Sequence, residues 1–291
     1  MKRLLALLSF LFIAASVSAQ DLPVGWEELT SPDFKKAVEK FGGVCIVPLG
    51  VIEKHGPQLP LGTDVYTARE ISYQAAQKEY SIVYPYYFVG QIFEAKHQPG
   101  IIAYSTELIY KMLEETCAEI ARNGIKKIIL VNSHGGNNAF LQYFCQSQLD
   151  KEKDYVVYLF RNEIDPETRK QITDMRKSTL SGHADEVETS LVMTVRPDLV
   201  KVEHSNDELG VDMNRLSLGN TFTGIWWYAK YPNHYSGDAK DANEALGKVS
   251  MGQRIESLVN VIRIIKADNT AIELQNQFFK ESSQPLKTTI K

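Results

Sequence analysis

The chain has 291 residues, of which 44% are apolar and 23% are charged, as in an ordinary soluble globular protein. Its 32 basic and 36 acidic side chains give a formal net charge of −4 at pH 7. This composition argues against a disordered chain, and the lack of a basic stripe argues against nucleic acid as a partner.

The N-terminus has the features of a secretory signal peptide. Lys2 and Arg3 precede the apolar run 4–15, and small residues occupy positions 17–19. The run is about a dozen residues long, whereas a spanning helix needs ~20, although an N-terminal anchor that stays attached is the alternative. We therefore expect residues 1–19 to be a signal peptide, the protein to be periplasmic or secreted, and no stable insertion into a membrane.

After this leader the sequence alternates between strand and helix patterns. Apolar, β-branched runs predict buried strands at 44–51, 82–89, 127–131 and 155–160. Helical spacing predicts helices at 63–79, 105–123, 138–149, 184–195 and 242–266. Such alternation is typical of an α/β fold in which helices cover both faces of a mainly parallel sheet. We expect a single domain over residues 20–275 and a frayed C-terminal tail at 276–291.

Three potential metal ligands surround the turn that follows the first predicted strand. Glu53 and His55 are two residues apart, so in extended chain their side chains project to the same face. Asp64 opens the next helix after a proline-rich loop. Two carboxylates and an imidazole suit a divalent transition ion. The alternative is that Asp64 caps the helix while Glu53 and His55 are solvated loop residues.

Two later loops carry similar residues. His134 follows the strand at 127–131 beside two glycines, which would let a ligand or a metal approach closely. His183 precedes a helix with an acidic first turn that includes Glu188. The alternatives are a solvated loop histidine and a set of acids that only complements the helix dipole.

Together, four sequence strings resemble the creatininase (creatinine amidohydrolase) family. They are PLGVIEKHGPQLPLGTD at 48–64, KHQPG at 96–100, NSHGGNN at 132–138 and HADEVETS at 183–190. The resemblance covers roughly residues 40–265. It implies a creatininase-like α/β fold, a three-layer αβα sandwich with a mainly parallel sheet. It also implies a homo-oligomer, since many members form symmetric hexamers.

The resemblance implies a site for two divalent metal ions per subunit, with Zn expected first and Mn or Fe as alternatives. The implied metal ligands are Glu53, His55, Asp64, His134 and Glu188. Asp64 would bridge the two ions, and Glu188 would be either a ligand or a catalytic proton carrier. His183 is the second expected catalytic residue and is expected to contact substrate. Creatininase itself has a glutamate two residues beyond the histidine that matches His134; here that position is Gly136, which argues against creatinine as substrate.

The expected function is a metal-dependent hydrolase in which metal-bound hydroxide attacks the carbonyl of a small cyclic or linear amide. Alternatives are hydrolysis of a lactone, a cyclic ketone or a sugar-derived ring, and a non-catalytic exported binding protein. The aromatic segment 223–245 predicts a lid over a small-molecule substrate, with core or subunit-interface packing as the alternative. The expected substrate contacts of this region, besides His183, are His97, Trp226, Trp227 and Tyr235. No role follows from the sequence for His204 or His234.

Overall fold

A parallel four-stranded sheet lies at the centre of the computed structural model, which describes residues 22–40 and 42–288. Its strands are β1 (Val44–Leu49), β2 (Ile82–Val83), β3 (Lys127–Asn132) and β4 (Val156–Leu159), in the order β2-β1-β3-β4. All six residues of β1 are buried, as expected of a strand covered on both faces. The predicted signal peptide lies outside the described residues.

Nine α-helices accompany the sheet in these two ranges. They are α1 (Ser31–Lys40), α2 (Thr63–Lys78), α3 (Thr106–Arg122), α4 (Asn137–Ser147), α5 (Pro166–Met175), α6 (Glu186–Val195), α7 (Trp226–Lys230), α8 (Glu244–Ala267) and α9 (Thr270–Ser282). The sheet and its flanking helices share one large apolar core, which confirms the predicted α/β sandwich. None of the described helices combines the length and the apolarity that crossing a membrane requires.

Each predicted strand and helix is present, but α1, α5, α7 and α9 were not predicted, and two regions differ from the prediction. The strand expected at 82–89 ends at Val83, and beyond it Tyr87 makes only an isolated bridge to Leu49. Pro85, which lacks an N–H, interrupts the ladder between them. Residues 276–282, expected in a frayed tail, instead complete α9. This helix is held to the sheet because Gln275 Nε2 donates to the carbonyl oxygens preceding β4.

The carboxyl ends of β1 and β3 are adjacent, because the two strands pair in register from Val44–Lys127 to Leu49–Asn132. The first turn of α2 packs directly on the residue after β1. A Cβ on Gly50 would lie 2.5 Å from Val65 N, so only glycine allows this approach. The packing brings Asp64 beside the loop that contains Glu53 and His55.

Candidate metal-binding active site

The polar cluster at this edge of the sheet brings together the three loops that carry the candidate ligands: the loop before Asp64, the loop of His134, and the loop of His183 and Glu188. Three groups of side chains have ligand atoms that all lie within 4.8 Å of one another. They are Glu53–Asp64–His134, His55–Asp64–Glu188 and Glu53–His55–His183. All five residues expected as metal ligands are included.

Asp64 belongs to two of the three groups and presents one oxygen to each. Its Oδ1 lies 3.1 Å from His55 Nε2, and its Oδ2 lies 3.2 Å from His134 Nδ1. A carboxylate that faces two imidazoles with different oxygens has the arrangement needed to bridge two cations. This geometry fits the bridging role expected of Asp64.

Burial makes the cluster costly without cations. Glu53, His55 and Asp64 are no more than 2% exposed, and His134 is 5% exposed. Glu53 Oε1 and Asp64 Oδ2 are buried and accept no well-formed hydrogen bond, although His134 Nδ1 lies 2.6 and 3.2 Å from them. Buried carboxylates require a positive partner. The donor set of carboxylates and imidazoles therefore fits divalent transition ions.

Backbone carbonyls fix which nitrogen each histidine offers. His55 Nδ1 lies 3.3 Å from the Glu53 carbonyl oxygen, and His134 Nε2 donates to the Gln91 carbonyl oxygen at 2.8 Å. Because carbonyls only accept, these nitrogens carry the protons. His55 Nε2 and His134 Nδ1 are then left facing the carboxylates. This is the outer-shell arrangement typical of metal-binding histidines.

The carboxylates strongly favour positive charge in the cluster. Burial alone would lower the pKa of His55, but Asp64, Glu188 and Glu53 outweigh it and raise that pKa to about 10. Burial is likewise outweighed at His134, where Glu53 and Asp64 hold the pKa well above its ordinary value. A metal ion that binds here must therefore displace protons.

His183 and Glu188, the two expected catalytic residues, lie side by side at the rim of the cluster. His183 Nε2 donates to the Lys54 carbonyl oxygen at 2.8 Å, so its Nδ1 is free and lies 3.9 Å from Glu188 Oε2. The same oxygen accepts the N–H of Ala184 at 2.5 Å, whereas Glu188 Oε1 lies 3.8 Å from His55 Nε2. Burial and nearby His55 lower the pKa of His183, which favours the neutral imidazole.

His234, for which the sequence indicated no role, is tied directly to the cluster. Its Nε2 lies 2.6 Å from Glu53 Oε2, and its Nδ1 accepts the indole N–H of Trp227 at 2.8 Å. Indole only donates, so His234 carries its proton on Nε2 and donates it to Glu53. Burial lowers the pKa of His234 to about 3, with His55 acting in the same direction. A neutral His234 thus orients Glu53.

The other expected substrate contacts occupy different environments. The ring of Trp227 makes a T-shaped contact with the ring of His183, with centroids 5.9 Å apart. It makes a second T-shaped contact with His234, so Trp227 touches two histidines of the cluster. Trp226 is 37% exposed and packs against Trp227. His97 Nε2 donates to the Pro232 carbonyl oxygen at 2.6 Å, which ties its loop to the aromatic segment.

Tyr235 is a core residue. Its side chain is 1% exposed and packs with Leu59, Ala184 and Val192. Its hydroxyl oxygen accepts the N–H of Ala239 at 3.1 Å. The structure therefore gives Tyr235 a packing role instead of the expected substrate contact, since a fully enclosed ring offers no surface to a ligand.

The side chain of Glu94, from another loop, occupies the space beside Gly136. A Cβ on Gly136 would lie 2.5 Å from His134 Nε2 and 2.9 Å from Glu94 Oε1. Glu94 thus brings a carboxylate next to the position where creatininase has its glutamate. The sequence does not single out Glu94, because nothing in its local pattern distinguishes it from a solvated acid.

The family of the chain follows from a sequence profile described as creatininase, creatinine amidohydrolase, which matches residues 27–262. The chain belongs to the creatininase family. This confirms the resemblance based on the four motifs.

Curated relatives of the chain include hydrolases of several substrates. Creatinine amidohydrolase of Pseudomonas putida is 24% identical over 119 residues, 39% of this chain and 46% of the relative. The 3-dehydro-scyllo-inosose hydrolase of Thermotoga maritima is 25% identical over 174 residues, 56% of this chain and 54% of the relative. A 2-amino-5-formylamino-6-ribosylaminopyrimidin-4(3H)-one 5'-monophosphate deformylase of Methanobrevibacter smithii is 30% identical over 132 residues, 44% and 53% of the two chains. The chain thus spans about half the length of each.

Solved creatininase structures share the fold. A creatininase described as the Mn form superposes with a TM-score of 0.70 at 20% identity, over 85% of this chain and 100% of the other. A Zn–Zn form of a creatininase variant gives 0.72 at 20% identity, with the same coverage. At this identity the likeness establishes the fold alone.

Proposed function

We propose that the protein is a metal-dependent amidohydrolase that binds two divalent metal ions per subunit, Zn first and Mn or Fe as alternatives. The observation that carries the proposal is the buried cluster in which Asp64 presents one oxygen to each of two histidines. Glu53 and His134 would hold one ion, His55 and Glu188 the other, and Asp64 both. Bound ions supply Lewis-acid polarisation of a carbonyl and make water more acidic.

The chain's own residues would manage the protons. Hydrolysis of an amide requires a proton at the leaving nitrogen, because an amine departs poorly as an anion. His183 Nδ1 and Glu188 Oε2 are 3.9 Å apart and stand at the rim of the cluster, where a substrate nitrogen can reach them. Glu188 would take the proton that the attacking water releases and deliver it to the nitrogen as the C–N bond breaks, and neutral His183 would accept a hydrogen bond from that leaving nitrogen. Trp227 and His234 keep Glu53 fixed during this exchange.

The substrate we propose is a small cyclic or linear amide other than creatinine. The family relatives named above as an amidohydrolase and a deformylase support this class. Hydrolysis of a sugar-derived or ketone ring is the second candidate. It is favoured by the relative named for 3-dehydro-scyllo-inosose, which matches the longest stretch of the three relatives described.

The test is metal content by inductively coupled plasma mass spectrometry, on wild type and Asp64→Asn. We expect near two transition ions per wild-type chain and a sharp fall in the variant. Asp174→Asn, which alters an exposed carboxylate paired with Lys170, is the matched control and should retain both ions. Unchanged metal content in Asp64→Asn would refute the bridging assignment. A screen of small amides, lactones and cyclic ketones with the loaded protein then separates the two candidate reactions.

We further propose that the protein is exported and forms homo-oligomers, hexamers on the family resemblance. The leader-like pattern of residues 1–19 supports export. N-terminal sequencing of protein from the cell envelope should begin near Gln20, and an intact Met1 in the envelope fraction would support a retained anchor instead. Light scattering of the purified protein tests the assembly, and a monomer at micromolar concentration would contradict it.

A further inference from the structure

A cavity of about 280 Å³ lies against the metal-ligand cluster, between α2, α6 and α8. Asp64 and Glu188 form part of its wall, so a molecule in the cavity touches the cluster directly. Trp227 and His234 do not line this cavity. Its size suits part or all of a small molecule.

Two hydroxyl groups in the cavity wall are without hydrogen-bond partners. Thr67 is 5% exposed, and its Oγ1 has no partner in the structure. Ser133 Oγ is also buried and has none. Both residues line the cavity. Because a buried hydroxyl without a partner is unfavourable, these two groups mark a place where a ligand would supply acceptor atoms.

Arg254 of α8 supplies the cavity's one cationic side chain. Within residues 22–40 and 42–288, Arg254 has neither a hydrogen bond nor an ion pair, whereas Arg263 on the same helix pairs with Glu79. Asp185 and Glu188 attract its charge, but neither comes within ion-pair distance. One Asp185 oxygen is occupied as the N-cap of α6, where it accepts the N–H of Glu188 at 2.9 Å. The guanidinium donors are therefore free.

The charge balance of the loaded site favours an anion. Two divalent ions carry four positive charges, which balance the carboxylates of Glu53, Asp64 and Glu188 together with that of Asp185, which also lines the cavity. Arg254 then leaves the lined cavity with a net positive charge. A guanidinium offers paired donors in a planar fork that matches the oxygens of a carboxylate or a phosphate.

We propose that the cavity binds an anionic oxygen group of the substrate, a carboxylate or a phosphate. Arg254 donates to this group, and the hydroxyls of Thr67 and Ser133 donate to it or to an adjacent oxygen. The anion then holds the rest of the substrate against the metal ligands Asp64 and Glu188. This inference rests on the proposed function, and it narrows the substrate from small amides in general to those that carry a negative charge.

The test is titration calorimetry of the zinc-loaded protein with inorganic phosphate and with succinate, at constant ionic strength. We expect wild type to bind at least one of these anions, and the better of the two identifies the anion class. Arg254→Gln should bind it roughly 10- to 100-fold more weakly, the range for losing hydrogen bonds from a charged donor. Arg263→Gln is the matched control and should bind like wild type. Neutral succinamide should show no difference among the three proteins.

A second variant guards against loss of structure in Arg254→Gln. Thr67→Val keeps the shape of the buried side chain and removes only the hydroxyl, and we expect it to weaken anion binding several-fold without loss of zinc. Anion affinity equal to wild type in both Arg254→Gln and Thr67→Val would overturn the inference, as would the absence of binding by zinc-loaded wild type. If wild type binds no zinc at all, the proposed function itself fails, and the zinc measurement distinguishes that result.

Discussion

The two sides of the site differ in how firmly the chain holds them. Glu53, His55, Asp64 and His134 are 0–5% exposed and are fixed by strand ends and by the first turn of a helix. At the start of the aromatic segment Ile225 is 55% exposed, and Phe222 just before it is 81% exposed. His234 connects this segment to the proposed metal ligand Glu53, and Trp227 holds His234 in place. The later part of the segment is buried, as Tyr235 shows. We infer that the proposed metal ligands lie on a rigid scaffold, while the exposed start of the segment is free to adapt to a substrate.

Glu53 is the residue at which the two sides meet, so changing it should have the largest effect. Its Oε1 faces His134 and its Oε2 faces His234. We expect Glu53→Gln to weaken zinc binding by about a hundredfold or more, because the variant loses the negative charge of a ligand and one of its two carboxylate oxygens. Competition with a fluorescent zinc chelator measures this. Glu208→Gln, which removes only the partner of Lys54, should keep wild-type affinity.

His234→Ala should remove the link between the aromatic segment and Glu53 while leaving every proposed metal ligand in place. We expect a loss of roughly 10- to 100-fold in zinc affinity, the usual effect of removing an outer-shell partner. The chelator competition used for Glu53 also measures this loss. His204→Ala changes an exposed histidine that pairs with Asp207 and serves as the control. If His234→Ala binds zinc as well as wild type does, the aromatic segment has no influence on the scaffold.

The pH dependence of stability should distinguish the metal-free scaffold from the loaded one. In metal-free protein the pKa of His55 is raised to about 10, above its unfolded value. The pairing of protonated His55 with the nearby carboxylates therefore stabilises the fold fully below pH ~6.5, and this stability is lost as the pH rises towards the folded pKa. We expect the Tm of EDTA-treated protein to fall over this range. The gain in Tm from added zinc should grow, since fewer protons compete with the metal.

Protons released on zinc binding can be counted by titration calorimetry in two buffers of different ionisation enthalpy. Zinc binding at neutral pH should release protons, because His55 and His134 both have raised pKa values in the metal-free protein. Binding enthalpies that do not depend on the buffer would contradict this assignment.

The smallest effects should come from the tryptophans of the aromatic segment. Trp227→Phe keeps an aromatic ring but removes the N–H that holds His234, and we expect roughly fivefold weaker zinc binding from the loss of about 1 kcal/mol. Trp226→Phe, at a partly exposed position, should change the affinity by less than about twofold. Chelator competition on both variants measures the difference, and equal effects would show that the indole N–H is unimportant.

Local sequence was sufficient to locate most of the candidate metal ligands. Glu53, His55 and Asp64 lie within twelve residues, on one loop between a buried strand and a helix. His134 follows a second strand, and carboxyl ends of parallel strands meet at one edge of the sheet. Because the strand pattern was clear, the meeting of these residues could be predicted. The four sequence motifs likewise predicted the family.

Tertiary structure decided the features that depend on distant neighbours. His234 lies 181 residues from Glu53 along the chain, and no spacing rule links them. Tyr235, its immediate neighbour, belongs to the core, although the two share the same local composition. Arg254 looks like an ordinary residue of a long helix until α2 and α6 enclose it in a cavity. Periodicity specifies which face of an element a side chain occupies, but only the packing of elements determines what that face meets.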